Sequence, residues 1–303
     1  MIIFQIILIL GCILSEFHLQ DSSSSSIFTF PKDNKPKSRF RIIGGNVVTP
    51  PNLYPFQVAL NVRYSSSIAL CGGSLISEQW VLTAAHCVDK FPLYIDVIIG
   101  AHNLTDTMEP ARQTYRSTLH FIHSDWSDVA LQNDIALIKL PENATLNENV
   151  GLIGLATGFG TFAGRSGTIL GWGLTETGVT SNPLLQVTVD IMSNAVCRAT
   201  DPAYYIIQNS HLCTSGVGIR GSCNGDSGGP LVVGNTLVGI VSFGPENCAL
   251  GYPSVFTRVT SYSDWILQTM TTEASATMRT GASAKFTSNI FALSILILLI
   301  CFK

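Results

Sequence analysis

Short apolar runs separated by turn-forming residues constrain the fold of this 303-residue chain most strongly. Between residues 42 and 259, runs rich in Val, Ile, Leu, Phe and Tyr alternate with clusters of Gly, Pro, Asn and Ser, as in FQVALNV, LYIDVIIG and LQVTVDIM. Such runs are typical of β-strands. Because they do not alternate with regular helical patterns, an antiparallel barrel or sandwich is favoured over a parallel α/β sheet. One helix is predicted near the C-terminus, at SYSDWILQTM, with Ser261 or Ser263 as its cap.

Composition and cysteine spacing narrow the class of protein. A hydrophobic content of 46% with only 12% charged residues excludes an unfolded chain, and a net charge of −3 without a long basic run argues against nucleic acid as a partner. The six cysteines of the body lack the paired spacing of a zinc site, so disulfides formed in an oxidising compartment are predicted. Spacing alone leaves all fifteen pairings open. These cysteines are Cys71, Cys87, Cys197, Cys213, Cys223 and Cys248.

The N-terminal 41 residues read as segments that precede the folded body. Residues 1–15 form an apolar run too short to span a bilayer, which predicts a secretory signal peptide; a membrane anchor is the alternative. Residues 16–41 contain five consecutive serines and then KDNKPKSRFR, a composition that cannot form its own core. We interpret this stretch as a pro-segment, with a flexible linker as the alternative.

The C-terminus repeats this pattern in reverse. Residues 271–289 are mostly small and polar, and residues 290–303 form an apolar tail that falls short of the roughly 17–25 residues of a transmembrane helix. A small-residue site, a polar spacer and a short apolar end describe a glycosylphosphatidylinositol (GPI) signal, with candidate attachment sites at 275–277 and 281–283. A short inserted tail and a tail without anchoring function are the alternatives.

A serine among glycines is the first candidate for chemistry. In the segment GDSGGP, residues 225–230, the glycines permit an unusual turn and allow backbone amides to approach a reacting carbonyl beside Ser227. The segment also satisfies G-x-S-x-G, the nucleophile elbow of α/β-hydrolases. Alone, it is compatible with two enzyme folds or with a structural turn.

His86 and Asp134 supply the partners that such a serine needs. His86 ends the run WVLTAAHC, and Asp134 precedes the apolar stretch IALI, where a carboxylate is costly unless it is paired. Paired with His86, Asp134 would fix the imidazole tautomer, and His86 would accept the proton of Ser227. We interpret the remaining histidines of the body as surface or structural residues: His102, His120, His123 and His211.

The chain order His, Asp, Ser differs from that of α/β-hydrolases and subtilisins. With RIIGG, TAAHC, NDIALI, GWG, GDSGGP and VSFG in that order, the sequence resembles the chymotrypsin/trypsin family of serine proteases over residues 42–270. This resemblance implies an all-β fold of two six-stranded antiparallel barrels, at about 42–150 and 151–260, and a short C-terminal helix. The active site would lie between the barrels.

The resemblance also implies roles for other residues. The backbone amides of Gly225 and Ser227 would form an oxyanion hole. The family's disulfide pattern selects the pairs Cys71–Cys87, Cys197–Cys213 and Cys223–Cys248. Phe243 stands where the family usually has Trp, on the edge that pairs with the substrate backbone. The residues expected to bind substrate are Gly221, Ser242, Phe243, Gly244 and Ser254.

Activation and primary specificity follow from two further matches. Arg41 precedes Ile42, which resembles the family's mature N-terminus, so a trypsin-like protease is expected to cleave there and the new amine to pair with Asp226. Gly221 stands where a trypsin has aspartate. A cationic side chain would enter that pocket unpaired, so a chymotrypsin-like preference for Phe, Tyr, Leu or Met is predicted, with nearby Glu246 as the group that can modify it.

Other expectations concern partners and location. Ala101 occupies the position of the first glutamate in the calcium loop of some family members, so no metal and no cofactor is expected. Asn103 and Asn143 begin glycosylation sequons. Expected partners are protein or peptide substrates and protein inhibitors, and the expected location is extracellular, secreted or on the outer face of the plasma membrane. The alternative function is that of a catalytically inactive homologue acting as a binding protein; the presence of all three triad residues argues against it.

Overall fold

Fifteen short strands and two helices make up the folded body in the computed structural model, which describes residues 42–175, 177–273 and 275. The strands are β1 Asn46–Val47, β2 Gln57–Arg63, β3 Ile68–Ser77, β4 Trp80–Thr83, β5 Tyr94–Ile99, β6 Gln113–Ser117, β7 His120–Ile122, β8 Ala136–Lys139, β9 Gly154–Leu155, β10 Ser166–Gly171, β11 Leu185–Met192, β12 His211–Thr214, β13 Pro230–Val233, β14 Thr236–Phe243 and β15 Ser254–Arg258. Helix α1 is Asn194–Thr200, and α2 runs from 263 through 273.

Several sequence predictions fall where the structure gives no description. The signal peptide at 1–15, the pro-segment at 16–41 and the apolar tail at 290–303 lie outside the described residues, as does the spacer at 271–289 apart from its first turn. Among the residues that are described, no helix is both long enough and apolar enough to cross a membrane.

The first sheet closes on itself. Its strand order is β6-β5-β2-β3-β4-β8-β7, and β6 and β7 are consecutive pieces of one bent stretch of chain that pairs with β5 at one end and β8 at the other. Counted in this way, six antiparallel strands form a barrel. Its central strand, β2, is buried along most of its length because it lies between β3 and β5.

The second sheet is also a ring of six strands. The order β11-β10-β13-β14-β15-β12 is closed by pairing of β12 with β11, while the two-residue strands β1 and β9 attach at the outside. In β11, LQVTVDIM, burial alternates residue by residue, as expected for a strand with one face on a core. The prediction of two six-stranded antiparallel barrels is therefore confirmed.

Two helices flank the barrels. The predicted C-terminal helix α2 packs Ile266 and Trp265 against the first barrel's core. Helix α1 was not expected, because its seven residues are too few to show an apolar period. Its start is nevertheless marked by Ser193, whose Oγ accepts a hydrogen bond from the Val196 amide at 3.3 Å.

Three disulfides join the elements in the pairs that the family resemblance implies: Cys71–Cys87, Cys197–Cys213 and Cys223–Cys248. The first ties β3 to the turn that carries His86, and the second ties α1 to β12. Each of these two closes a loop of 16 residues, for which loss of unfolded-chain entropy contributes about 3 kcal/mol.

The loop between β5 and β6 is organised by a glutamate and an arginine. The Glu109 carboxylate accepts hydrogen bonds from the amides of His102 and Asn103 at 2.8–3.1 Å. The Arg112 guanidinium donates to the carbonyls of Leu104 and Asp106 at 3.4 and 3.2 Å and lies 3.9 Å from Glu109. The positive side chain of Arg112 thus binds carbonyl oxygens of this loop. This is also the loop in which Ala101 led us to expect no calcium, and that expectation stays a prediction.

Both sequon asparagines lie at the surface. Asn143 is exposed and donates to Glu78, whereas Asn103 is half-buried and its Oδ1 accepts hydrogen bonds from Thr105 of the same sequon. Their glycosylation stays a prediction.

Candidate active site

Strand pairing sets the positions of His86 and Asp134. The register of β4 and β8 pairs Thr83 with Ala136, so His86, three residues beyond Thr83, and Asp134, two residues before Ala136, emerge at the same end of the pair. His86 Nδ1 lies 2.8 Å from Asp134 Oδ2, and the His86 amide donates to Asp134 Oδ1 at 3.0 Å. Because an ionised carboxylate only accepts hydrogen bonds, Nδ1 carries the proton and Nε2 is left with its lone pair.

The second barrel also donates hydrogen bonds to Asp134, one to its carboxylate and one to its backbone carbonyl. Ser242 Oγ, on β14, donates to Asp134 Oδ2 at 2.5 Å, and Thr257 Oγ1, on β15, donates to the Asp134 carbonyl at 2.7 Å. Sequence reasoning assigned Ser242 to the substrate edge and missed its hydroxyl, and it assigned nothing to Thr257. The available signal was a hydroxyl inside each of the apolar runs TLVGIVSF and SVFTR, where a buried donor needs a partner.

Electrostatics make the pair a suitable base. Burial by itself raises the pKa of Asp134, but the charge and hydrogen bonds of His86, together with Ser242, hold that pKa below its usual value. Burial lowers the pKa of His86, and the attraction and hydrogen bond of Asp134 outweigh that effect and raise it. The carboxylate therefore stays ionised and stabilises an imidazolium when His86 takes up a proton.

Ser227 and His86 both line a cleft of about 420 Å³, together with Gly225, Leu70 and Lys90. The loop carrying Ser227 belongs to the second barrel, and its Ser227 carbonyl accepts a hydrogen bond from Gly72 of the first barrel at 2.7 Å. No hydrogen bond joins Ser227 Oγ and His86 among the described contacts; apo sites often show such loose geometry.

Backbone amides in this loop fall into two groups. Those of Asp226, Gly228 and Gly229 donate to carbonyls at 2.8–3.0 Å. Those of Gly225 and Ser227 donate to no protein group within the part of the chain that the structure describes. Gly225 has φ +97°, a conformation that L side chains rarely adopt. Two amides are thus left beside the serine for a negatively charged oxygen.

Asp226 is fully buried with both oxygens engaged by amides. Oδ1 accepts from Gly173 at 2.8 Å and Oδ2 from Cys223 at 2.9 Å. A Cβ on Gly173 would lie 2.5 Å from the Asp226 carboxyl carbon, which is why the GWG segment needs a glycine there. Burial, only partly offset by the two amides, raises the pKa of Asp226 to about 7. Across the described residues no basic side chain pairs with it.

The predicted pocket residues lie together. A Cβ on Gly221 would meet Ser254 Oγ at 2.6 Å, and one on Gly244 would meet the Ser254 Cα at 3.9 Å. The buried Ser254 hydroxyl accepts a hydrogen bond from the Ser222 amide at 3.1 Å. Glu246 is exposed and lines a neighbouring groove with Ile43 and Cys223.

A nucleophile, a base with its orienting carboxylate, and two free amides can carry out acyl transfer. A family model described as Trypsin matches residues 42–266. The chain belongs to the trypsin family.

Individual relatives agree with this assignment. The trypsin-family chain is 43% identical over 236 residues to brachyurin of Leptuca pugilator, covering 76% of this chain and 98% of brachyurin. It is 37% identical over 251 residues to a chymotrypsin of Phaedon cochleariae, covering 80% of this chain and 87% of that protein. Among solved structures it is similar to HL collagenase, with a TM-score of 0.69, 32% identity, and coverage of 75% of this chain and 98% of that one. As a trypsin-family serine endopeptidase, the protein acts on protein substrates.

Replacing Ser242 with alanine tests the support given to Asp134. We expect kcat/KM to fall about 10-fold or more, since a hydrogen bond to a charged group contributes about 1.5–3 kcal/mol. The measurement is steady-state hydrolysis of a peptide amide. Ser166→Ala is the matched control, because the Ser166 hydroxyl also donates to a carboxylate, that of Asp190, at 2.9 Å, and both residues are exposed. Equal activities of the two variants would contradict the assignment.

Proposed function

We propose that this trypsin-family protein is an extracellular endopeptidase whose catalytic triad is His86, Asp134 and Ser227. The single observation that carries the proposal is the His86–Asp134 pair at 2.8 Å, oriented with Nε2 free in the cleft that Ser227 also lines. Ser227 Oγ attacks the scissile carbonyl and His86 Nε2 takes its proton. The amides of Gly225 and Ser227 bind the resulting oxyanion.

The second half of the reaction uses the same groups. Imidazolium His86 protonates the departing amine, which leaves an acyl group on Ser227. Water then attacks the acyl carbonyl as His86 removes its proton, and the acid is released when the proton returns to Ser227. Asp134 remains ionised throughout, in agreement with its lowered pKa.

Covalent labelling distinguishes this function from that of an inactive homologue acting as a binding protein. Activated wild-type protein is expected to react with a serine-directed fluorophosphonate, whereas Ser227→Ala is not labelled and His86→Ala is labelled far more slowly. Gel fluorescence after a timed reaction measures both. A wild-type protein that stays unlabelled although its N-terminus is Ile42 would favour the inactive homologue.

We propose a chymotrypsin-like preference for large apolar residues at P1, the substrate residue before the scissile bond. The three residues expected around the P1 pocket, Gly221, Gly244 and Ser254, carry no charge. The Ser254 hydroxyl already accepts a hydrogen bond from the Ser222 amide. A buried cationic side chain would therefore be unpaired there. Glu246 is exposed, and solvent weakens the attraction between an exposed carboxylate and a cationic side chain, which supports a minor role for Glu246.

The predicted order of kcat/KM for matched peptides is Phe, Tyr, Leu and Met above Arg and Lys, by at least about 10-fold, because an unpaired charge costs more than 1.4 kcal/mol. Profiling of a peptide library with fixed flanking residues measures it. A preference for Arg or Lys would contradict the assignment of the pocket, and loss of that preference in Glu246→Gln would then identify the carboxylate responsible.

We propose that the protein is made as a zymogen and is activated by cleavage after Arg41. In this proposal residues 1–15 are a signal peptide, residues 16–41 are the pro-segment, and residues 42–270 are the peptidase domain. Ile42 is buried in the second barrel's core, and the Ile43 carbonyl accepts a hydrogen bond from the Gly221 amide. The freed amine of Ile42 would supply the cation that buried Asp226 lacks among the described residues. A trypsin-like protease fits the cleavage after arginine.

Stability measurements on an uncleavable Arg41→Gln precursor test this role of Asp226. Without a cation beside it, buried Asp226 has a pKa of about 7, above its ordinary value of 3.8. Between these two pH values the native state keeps this carboxyl protonated while the unfolded state does not. The native state therefore loses stability as the pH rises from 4 through 7. Between pH 5 and pH 8 this loss amounts to roughly 2–3 kcal/mol. Adding Asp226→Asn should abolish it in urea unfolding curves. An unchanged pH slope, or active enzyme beginning at a residue other than Ile42, would contradict the proposal.

We propose attachment to the outer face of the plasma membrane through a GPI lipid, with 271–289 as spacer and 290–303 as the removed signal. The three disulfides support an oxidising, extracellular location, and the tail's composition supports the lipid. Phosphatidylinositol-specific phospholipase C is expected to release activity from expressing cells. Retention after this treatment, together with release by truncation at residue 289, would favour an inserted tail.

A further inference from the structure

His211 is a buried histidine that the proposed catalytic steps do not use. It begins β12 in the second barrel and is only 2% exposed. Its Nδ1 accepts a hydrogen bond from the Gln208 amide at 3.0 Å, so the proton of the neutral ring is on Nε2. That nitrogen lies 2.9 Å from the carbonyl oxygen of Leu131 in the first barrel. The imidazole therefore donates a hydrogen bond from one barrel to the other.

The segment that receives this hydrogen bond is conformationally strained. Leu131 and Asn133 have φ +51° and +57°, in the left-handed region that costs a non-glycine residue free energy. Three side chains from later in the chain, that of His211 included, donate hydrogen bonds to acceptors of this segment. Beside His211, Tyr262 donates to Asn133 Oδ1 at 2.9 Å, and Thr257 donates to the Asp134 carbonyl.

His211 and Thr257 act side by side. They are directly opposed on the antiparallel strands β12 and β15, so their side chains lie on the same face of the sheet. One donates to Leu131 and the other to Asp134, three residues further on. The strained segment before Asp134 is thus held at both ends by one pair of cross-strand neighbours, and the hydrogen bond of His211 is the one that fixes its first residue.

The same imidazole also contacts Phe243 of the second barrel. The rings of His211 and Phe243 pack edge to face, with centroids 5.7 Å apart and an interplanar angle of 89°. Phe243 follows Ser242, the residue that donates to Asp134, at the end of β14, in the segment expected to pair with substrate backbone. The stretch that leads to Leu131 also contacts the residues after His86, since the Trp126 indole donates to Asp89 at 3.0 Å.

We propose that His211 is a positioning residue that fixes the spacing between the Leu131 segment and Phe243, and through them the part of the cleft that binds substrate residues N-terminal to P1. This inference rests on the proposed endopeptidase function. The binding of long peptide substrates depends on this spacing, because their residues N-terminal to P1 lie between the Leu131 segment and Phe243. A substrate that ends at P1 does not reach them and is independent of His211.

The charge state of the ring agrees with this role. Burial lowers the pKa of His211, and Arg258 lowers it further, while the Leu131 carbonyl and Asp134 act in the opposite direction without restoring the usual value. Arg258 also donates to the His211 carbonyl at 2.7 Å, which fixes the backbone of β12 at this point. The imidazole is therefore neutral at pH 7, as donation from Nε2 and acceptance at Nδ1 together require.

Two substitutions separate the hydrogen bond from ring packing. His211→Phe keeps an aromatic ring against Phe243 but removes the donor, whereas His211→Gln places an amide NH near the position of Nε2. With a tetrapeptide amide ending in Phe, His211→Phe is expected to lower kcat/KM about 10-fold, mainly through KM, and His211→Gln by no more than about 3-fold. With acetyl-phenylalanine ethyl ester, both variants stay within about 2-fold of wild type. His120→Phe, a histidine on β7, is the matched control and leaves the ratio of the two substrates unchanged.

Two kinetic outcomes and one spectroscopic outcome would overturn the proposal. Equal losses on the peptide and the ester would show that His211 acts on the chemistry or the fold as a whole, and a His211→Gln variant as impaired as His211→Phe would show that the hydrogen bond is immaterial. Fluorophosphonate labelling of the wild-type protein tests the endopeptidase function separately. Nitrogen-15 spectra of the imidazole provide a readout independent of activity: a proton on Nε2 supports the proposal, and a proton on Nδ1 at pH 7 refutes it.

Discussion

The buried carboxylate of Asp134 is the group on which the rest of this structure depends. A charge at 2% exposure is tolerated only where hydrogen bonds replace the water it has lost, and here they come from both barrels. His86 belongs to the first barrel, and Ser242 and Thr257 belong to the second. Separating the barrels would therefore remove one of the three donors to the carboxylate, that of Ser242, and would also remove the Thr257 donor to the Asp134 carbonyl. The geometry of the catalytic base therefore requires that the two barrels stay docked against each other.

The local features of the fold were predictable because they depend on neighbours in sequence. Alternation along β11 shows which residues face the core, whereas α1 was not predicted because it is too short for a periodic signal, although Ser193 marks its start. Closure of each barrel was available only through family resemblance. It depends on pairs such as β12 with β11, which the residues of either strand do not specify.

The residues of the candidate site likewise fall into those that the sequence predicted and those that only the packing of the barrels reveals. His86, Asp134 and Ser227 lie in recognisable segments, and the resemblance provided their order and the pairing of the cysteines. The hydroxyls of Ser242 and Thr257 and the ring of His211 are isolated polar groups on largely apolar strands. The partners described here for these three groups lie 108, 123 and 80 residues away in sequence. Sequence spacing shows that such an atom needs a partner, but only the packing of two closed barrels decides which partner it meets.

The arginine in the loop between β5 and β6 has a consequence for where the protein can work. A free ion bound by loop carbonyls is in equilibrium with its surroundings and is lost when they are depleted of it. Arg112, which donates to Leu104 and Asp106, is joined to the loop by covalent bonds. Its guanidinium keeps its charge at any physiological pH. The order that it brings to this loop is therefore the same in fluids of very different mineral content.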